Sequence, residues 1–164
     1  MTTFMSPLPL SATASIIASA WASGAGAAIS LFTITPILAS SAPRDVLLQQ
    51  WHLAYTLGKS YMPPAAGAIA ASYLGAAYYS PSEWRGFAAA AALTVGIVPF
   101  TLLLIMPTVR ALEGMLGDGR DGKEAGEEAR RVMRTWSRWN FARAMLPLVG
   151  TGFAVWNLGE ILLA

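Results

Sequence analysis

The chain has 164 residues, of which 55% are hydrophobic and only 12% are charged, and its mean hydropathy is +0.49. This composition is typical of integral membrane proteins and leaves little room for a soluble domain. The absence of cysteine excludes disulfides, thiolate chemistry and iron–sulfur clusters, and a single histidine excludes a multi-histidine metal site within one chain. The net charge of +2 comes from clustered basic residues, which indicates membrane orientation better than nucleic-acid binding.

Four stretches are long and apolar enough to cross a bilayer, which requires about 20 mainly apolar residues. They cover approximately residues 10–38, 60–80, 86–107 and 144–163. The first is longer than a signal-peptide core and no Lys or Arg precedes it, so we expect it to be retained. We predict an all-α, multi-pass integral membrane protein in which residues 1–164 form one domain, an antiparallel bundle of four transmembrane helices.

Small residues recur at every fourth position in these stretches, a spacing that lets helix backbones approach closely in lipid. They are Ala20, Gly24 and Ala28; Gly67, Ala71 and Gly75; Ala88, Ala92 and Gly96; and Gly150 and Ala154. We interpret them as contacts within the bundle, with a homo-oligomeric interface as the alternative.

Helical periodicity continues outside the second and fourth spans. Residues 44–62 and 124–143 mix apolar and polar positions at helical spacing, so helices 2 and 4 should extend beyond the bilayer. The glycine-rich, charged loop 111–126 should separate helices 3 and 4. Prolines within these helices should kink or cap them: Pro63, Pro64, Pro99, Pro107 and Pro147.

The distribution of basic residues predicts the orientation of the bundle. Arg44 and Lys59 flank the first loop, and the basic residues from Arg110 to Arg143 surround the third, whereas the second loop has only Arg85. Short loops that are rich in Lys and Arg remain in the cytoplasm. Loops 1 and 3 should therefore be cytoplasmic, with the extensions of helices 2 and 4, and both termini should lie on the opposite side.

Residues 136–143 run directly into the fourth span and are the most informative stretch. At helical spacing one face carries two indoles, an amide and a guanidinium, from Trp136, Trp139, Asn140 and Arg143. The opposite face carries charged side chains, from Glu127, Arg131, Arg134 and Arg138. We predict that the charged face is solvated and that the first face, here called the Trp136 face, points inward.

A second polar face should lie at the same level. His52, Tyr55 and Lys59 are three and four residues apart on the preceding extension, and Thr108 lies at the same end of the bundle. We expect this His52 face to meet the Trp136 face. Tryptophans and lysines are also ordinary membrane anchors, and we favour anchoring for Trp51 and Lys59.

Three side chains are candidates for chemistry. His52 is the natural proton acceptor, because histidine is the side chain that exchanges a proton near neutral pH, although an interfacial anchor is the alternative. Arg143 and Asn140 could stabilise an oxyanion. Alternatively, Arg143 snorkels to lipid headgroups or pairs with Glu113 or Glu128.

Three motifs, in this order on the four spans, resemble those of the anthrone oxygenase family of small membrane proteins. They are Tyr55-Thr56-Leu57-Gly58-Lys59 followed by Pro63-Pro64; Pro99-Phe100-Thr101 leading to Met106-Pro107-Thr108; and Trp139-Asn140-Phe141-Ala142-Arg143. The resemblance implies a monooxygenase of polyketide secondary metabolism that oxidises an anthrone to an anthraquinone with O2 and needs no metal, flavin or nicotinamide cofactor.

Under this hypothesis His52 removes a proton, Arg143 and Asn140 stabilise the resulting oxyanion, and Trp136 and Trp139 hold the planar rings. Tyr55, Lys59 and Thr108 complete the substrate-binding set. The rival hypothesis is a non-catalytic scaffold that binds lipid or another pathway enzyme. A transporter and a haem protein ligated by His52 are less well supported, since no inverted repeat and no second histidine are present.

Overall fold

The computed structural model describes residues 7–82 and 84–163, and all regular structure in these ranges is helical. The α-helices are α1 (Pro7–Ala28), α2 (Thr35–Ala39), α3 (Arg44–Tyr79), α4 (Trp84–Val95), α5 (Ile97–Phe100), α6 (Met106–Met115) and α7 (Lys123–Leu163). A first π-helical segment (Ile29–Ile34) joins α1 to α2, and a second (Thr101–Ile105) joins α5 to α6.

Three helical runs in the described ranges are long and apolar enough to cross a membrane: Leu10–Ala39, Trp84–Met115 and Lys123–Leu163. They contain the first, third and fourth predicted spans. The second predicted span, 60–80, lies in α3, which is not among these three runs. The prediction of an all-helical membrane protein is confirmed, and the count of four spans stays a prediction.

The prediction that helical structure continues through residues 44–62 and 124–143 is confirmed. Helix α3 runs without interruption from Arg44 through Pro63 and Pro64, and α7 runs from Lys123 through Pro147. The loop predicted at 111–126 is shorter than expected, because α6 continues to Met115. The turn that remains before α7 depends on Gly117, Gly119 and Gly122, whose φ angles of 79°, 69° and 103° suit glycine.

Each π-helical segment ends two residues before a proline, Pro36 or Pro107. Proline has no N–H to donate, and its ring crowds the carbonyl group four residues earlier. A wider π turn, in which bonds span five residues, accommodates this defect without breaking the helix. The sequence therefore explains where the two segments end.

The chain divides into two compact units, and α3 and α7 contribute residues to both. The described part of the first unit comprises residues 7–24, 62–82, 84–97 and 144–163. Its core is built from small and aromatic side chains, with Tyr73 and Phe87 fully buried among alanines. Gly150 permits close packing, since a Cβ there would lie 3.1 Å from the Cα of Ala90.

The predicted small-residue contacts are confirmed only in part. Gly150 and Ala154 are buried, but Gly24, Gly67 and Ala71 are exposed. The core of the first unit uses other small residues instead, among them Ala12, Ala70, Ala76, Ala90 and Ala91. Small residues at every fourth position form a stripe along one side of a helix. Several such stripes can occur on the same helix, and the spacing does not tell which of them is buried.

The second unit comprises Ala25–Tyr61 and Val98–Arg143. Its core joins Leu47, Leu48 and Trp51 of α3 to apolar side chains of α6 and α7. Arg44, at the start of α3, forms two bonds of 2.8 and 2.9 Å to the carboxylate oxygens of Asp118 in the loop before α7. This bidentate pair fixes the loop against the start of α3.

Candidate functional site

A hydrogen-bonded pair on α7, Arg143 and Asn140, lies in the second unit. The two residues are three positions apart, so their side chains leave the helix on the same side. Nη2 of Arg143 donates to Oδ1 of Asn140 over 2.7 Å, and Nη1 donates to Oγ1 of Thr101 over 3.2 Å. Two neutral oxygens therefore hold the guanidinium in place.

Arg143 has no carboxylate partner in the described ranges. None of the four ion pairs found there includes it, and Glu128 pairs with Arg120 instead. The alternative in which Arg143 pairs with Glu113 or Glu128 is therefore wrong. A half-buried cation that is held by neutral oxygens alone is suited to stabilise an anion that comes from outside the chain.

Asn140 is almost completely buried, with 1% of its surface exposed. Its Nδ2 donates to the backbone carbonyl of Gly26 over 3.1 Å and to Oγ of Ser30 over 2.9 Å. Its oxygen accepts from Arg143, so every polar group of the amide is engaged within the second unit. The amide is thus held in one orientation and fixes the acceptor that Arg143 uses.

Two partners of this pair belong to the π-helical segments, Ser30 to the first and Thr101 to the second. Short π-helical segments inside α-helices occur often at functional sites. An extra residue in the turn changes the direction of the side chains around it relative to a regular α-helix. Both segments thus contribute a hydroxyl group to one polar cluster. We call it the Arg143 cluster, and its members are Arg143, Asn140, Ser30 and Thr101.

The sequence did not identify Ser30 as part of this cluster, although it carries a usable signal. Four serines of the first span are buried: Ser15, Ser19, Ser23 and Ser30. In the first unit Ser19 and Ser23 donate to the carbonyl groups of Pro147 and Ala144, respectively. Buried hydroxyls at four-residue spacing in an apolar span indicate a face that contacts another helix.

Aromatic side chains of α3 and α7 pack together in the same unit. Trp51 is fully buried, stacks on Tyr55 with ring centroids 5.4 Å apart and an interplanar angle of 4°, and meets the edge of Trp136 at 5.9 Å. The prediction that Trp51 is a membrane-interface anchor is therefore wrong. Stacked and edge-to-face rings of this kind make a rigid apolar wall.

The indole nitrogens of Trp51 and Trp136 have no hydrogen-bond partner among the described residues, although both atoms are buried. Buried tryptophan N–H groups normally find an acceptor, because an unpaired donor costs about 1–3 kcal/mol. Two such donors on rings that touch each other indicate a place where an acceptor oxygen from a ligand would be stabilised.

Tyr55 links the aromatic rings to the charge of Arg143. Burial raises the pKa of the Tyr55 phenol, the negative charge of Glu113 raises it further, and the positive charge of Arg143 opposes both. The phenol therefore remains protonated and able to donate at neutral pH. Lys59 lies with Nζ 5.8 Å from the centroid of the same ring.

The other predicted site residues lie apart from the Arg143 cluster. His52 is exposed, with its ring centroid 6.2 Å from that of Trp51, and Lys59 is exposed as well. The hydroxyl of Thr108 donates to the carbonyl of Ile105 over 2.7 Å. Among the described residues, none of the three forms a hydrogen bond with Arg143 or Asn140, and their roles stay predictions.

The two faces of α7 follow the predicted pattern with one difference. Glu127, Arg131, Arg134 and Arg138 are exposed, and Trp136 and Asn140 are buried. Trp139, which was predicted to point inward, is 38% exposed and meets the edge of Phe100 with the ring centroids 6.0 Å apart. Trp139 therefore borders the inward face rather than occupying its centre.

Comparison with known proteins gives one consistent result. A sequence profile described as anthrone oxygenase matches residues 51–153, a range that includes Arg143, Asn140 and the aromatic rings above. No solved structure matches the chain.

Three similar proteins carry related names. Anthrone oxygenase AgnL2 of Paecilomyces divaricatus is 32% identical, over 93% of this chain and all of its own length. Monooxygenase hypC of Dothistroma septosporum is 33% identical, over 78% of this chain and 71% of its own. An anthrone oxygenase of Claviceps purpurea is 34% identical, over 84% of this chain and 83% of its own.

Proposed function

Because the chain belongs to the anthrone oxygenase family and its relatives are named as oxygenases, we propose that it oxidises an anthrone-type polycyclic aromatic to an anthraquinone with O2. The reaction would belong to polyketide secondary metabolism and would need no cofactor. The observation that carries this proposal is the Arg143 guanidinium, which is half-buried, held by neutral oxygens and not neutralised by a carboxylate in the described ranges.

The chemistry requires little beyond the formation and stabilisation of an anion. An anthrone loses a proton from its methylene carbon, and the negative charge moves to the carbonyl oxygen. The anion transfers one electron to O2, and the two radicals combine as a peroxide anion. This anion takes up a proton to become the hydroperoxide, and loss of water leaves the second carbonyl group. One O2 thus supplies the oxygen atom of the new carbonyl and that of the water.

We assign the stabilisation of the anionic oxygen to Arg143. A guanidinium has five N–H donors, and the bonds to Thr101 and Asn140 leave most of them for a ligand. Tyr55, whose phenol interacts electrostatically with Arg143, would donate to the same oxygen or to a neighbouring one. Donors held in place before the reaction stabilise developing charge at no reorganisation cost.

Asn140 would serve this site indirectly. The sequence predicts that the Asn140 amide also donates to the oxyanion, but both of its N–H groups are engaged by Gly26 and Ser30. We propose instead that Asn140 is a positioning residue that sets the direction of the Arg143 side chain.

The aromatic residues would bind the planar rings. Trp136 and Trp139 would contact the ring faces, and the free indole N–H groups of Trp51 and Trp136 would donate to oxygen substituents of the substrate. His52 would remove the methylene proton from the exposed side of these rings, with Lys59 and Thr108 at the rim of the site.

The membrane arrangement proposed for this function is an antiparallel bundle of four spans with loops 1 and 3 in the cytoplasm. A lipophilic anthrone would enter laterally from the bilayer. Its anion would then form where water is scarce, so that the charge of Arg143 is weakly screened.

The test uses purified protein, a defined anthrone and air-saturated buffer, and follows quinone absorbance above the uncatalysed background. Arg143→Ala should lower kcat/KM by about 100- to 1,000-fold, which is the usual cost of removing an oxyanion donor. Arg138→Ala, on the exposed face of the same helix, is the matched control and should retain activity. Equal turnover by the wild type and Arg143→Ala would contradict the proposal and favour the scaffold alternative.

A further inference from the structure

A cavity lies in the first unit, and none of the residues assigned above lines it. It has a volume of about 710 Å3, within the usual range for small-ligand sites. Its lining includes Trp84, Arg85, Trp156, Asn157 and Glu160, from the start of α4 and the end of α7. The cavity is thus lined by one positive charge, one negative charge, an amide and aromatic rings.

The two charges of this cavity do not neutralise each other. Arg85 and Glu160 line the same space, yet no ion pair joins them among the described residues. Oε1 of Glu160 instead accepts a 3.0 Å hydrogen bond from the indole N–H of Trp156. A cavity that holds opposite charges apart is complementary to a ligand that carries both charges at a similar separation.

Close packing of α4 against α7 builds the floor of the cavity. Asn157 is 5% exposed, and a Cβ on Gly86 would lie 2.6 Å from its Cβ. Only glycine at position 86 leaves room for this amide, so the polar floor depends on that residue. The aromatic rim is open by contrast, with Trp84 49% and Trp156 73% exposed.

The cavity lies at the ends of two candidate membrane spans. Trp84 begins the span Trp84–Met115, and Glu160 lies within one turn of the end of the span Lys123–Leu163. Tryptophan and charged side chains at such positions are found at the level of the lipid headgroups. The ligand that is available there at high concentration is phospholipid.

We propose that this cavity binds the headgroup of a zwitterionic phospholipid, with Arg85 on the phosphate and Glu160 on the ammonium group. Arg85 is suited to the phosphate because guanidinium donors match its oxygens. Trp84 and Trp156 would add cation–π contacts to the ammonium group. The site is independent of anthrone oxidation, because no residue of the Arg143 cluster lines it.

The test is native mass spectrometry of the protein in neutral detergent, with phosphatidylcholine, phosphatidylglycerol of the same acyl chains, and free phosphocholine as separate probes. Phosphatidylcholine should bind more tightly than the other two. Arg85→Gln should weaken binding of both lipids about tenfold or more, whereas Glu160→Gln should weaken phosphatidylcholine alone.

Arg138→Gln serves as the matched control and should bind as the wild type does. Arg85 and Glu160 are both exposed, so neither substitution removes a core contact, and both variants should keep anthrone turnover. Equal affinity of the wild type for the two lipids, unchanged affinity in both variants, or free phosphocholine binding as tightly as the lipid would each overturn the proposal.

Discussion

The guanidinium of Arg143 donates to the amide oxygen of Asn140 over 2.7 Å, within one turn of α7. The same amide is held by Gly26 and Ser30, more than 100 positions earlier in the chain. The direction of the charge therefore depends on residues of the first span as well as on α7. We expect function and stability to depend on these contacts, on the indole donors of Trp51 and Trp136, and on the Arg44–Asp118 ion pair.

Substitution of Asn140 should disturb both stability and catalysis. Asn140→Ala leaves the polar groups of Gly26 and Ser30 without their partner, at a cost of about 1–3 kcal/mol in the free energy of unfolding. It also releases Arg143, and we expect kcat to fall about 10- to 100-fold while KM changes less. Denaturant unfolding and steady-state kinetics measure the two effects.

A double-mutant cycle separates positioning from general destabilisation. If Asn140 acts through Arg143, adding Asn140→Ala to Arg143→Ala should cause little further loss of activity. Thr135→Ala, on the exposed side of α7, is the control and should change neither quantity. Fully additive losses of activity in the double mutant would show that Asn140 does not work through Arg143.

The free indole donors predict a specific effect on substrate binding. Trp51→Phe keeps a ring next to Tyr55 and removes an N–H group that has no acceptor in the described structure. KM for an oxygen-substituted anthrone should rise about tenfold, the worth of one hydrogen bond, with kcat largely retained. Trp136→Phe should behave alike, whereas the exposed Trp21→Phe should not. An unchanged KM in both buried variants would refute the assignment.

The Arg44–Asp118 pair predicts how stability depends on pH. The guanidinium of Arg44, the backbone N–H of Arg120 and the Arg120 side chain hold the pKa of the Asp118 carboxyl well below its usual range. The pair should therefore stabilise the fold fully above the unfolded-state pKa of about 3.9, and this stability should be lost as pH falls further. Asp118→Asn should lower the thermal midpoint at pH 7, and its difference from the wild type should shrink as the pH drops below 4.

Asp121→Asn provides the matched comparison for this pH series. Asp121 belongs to the same loop, and among the described residues its carboxylate accepts only the N–H of Gly122. This variant should follow the wild-type pH profile. A constant difference between Asp118→Asn and the wild type from pH 7 to pH 3 would show that the ion pair does not contribute in the way proposed.

The solvated and buried sides of α7 could be predicted because the helix is uninterrupted from Lys123 to Leu163. With about 100° of rotation per residue, Asn140 and Arg143 lie within about 40° of Trp136. Trp139 lies about 60° away, which places it at the border of the buried face. The helical period therefore predicted the inward positions of Asn140 and Arg143, but not their partners Ser30 and Thr101, and it overestimated the burial of Trp139.

On α3 the predicted helical spacing is correct, but the side of the helix that was predicted to face inward is not the buried side. Helical spacing places His52, Tyr55 and Lys59 on one face, but the buried stripe of this helix follows Leu47, Leu48 and Trp51, and Tyr55 is only partly buried at its edge. His52 is one residue beyond Trp51 and so points about 100° away from it. The hydrophobic effect selects which stripe is buried, and apolar residues were the better guide here.

The two π-helical segments set the rotation of the helical residues before them relative to those after them. A π turn is equivalent to one residue inserted into an α-helix. Deletion of a single residue within Ile29–Ile34 would restore regular helix and rotate the part of α1 that lies in the second unit, including Gly26, by about 100° relative to Ser30 and Asn140. The same holds for Thr101–Ile105 and the residues 98–100 that precede this segment in the second unit. Single-residue insertions and deletions at these two places are therefore a direct means of assembling or dismantling the polar cluster around Arg143.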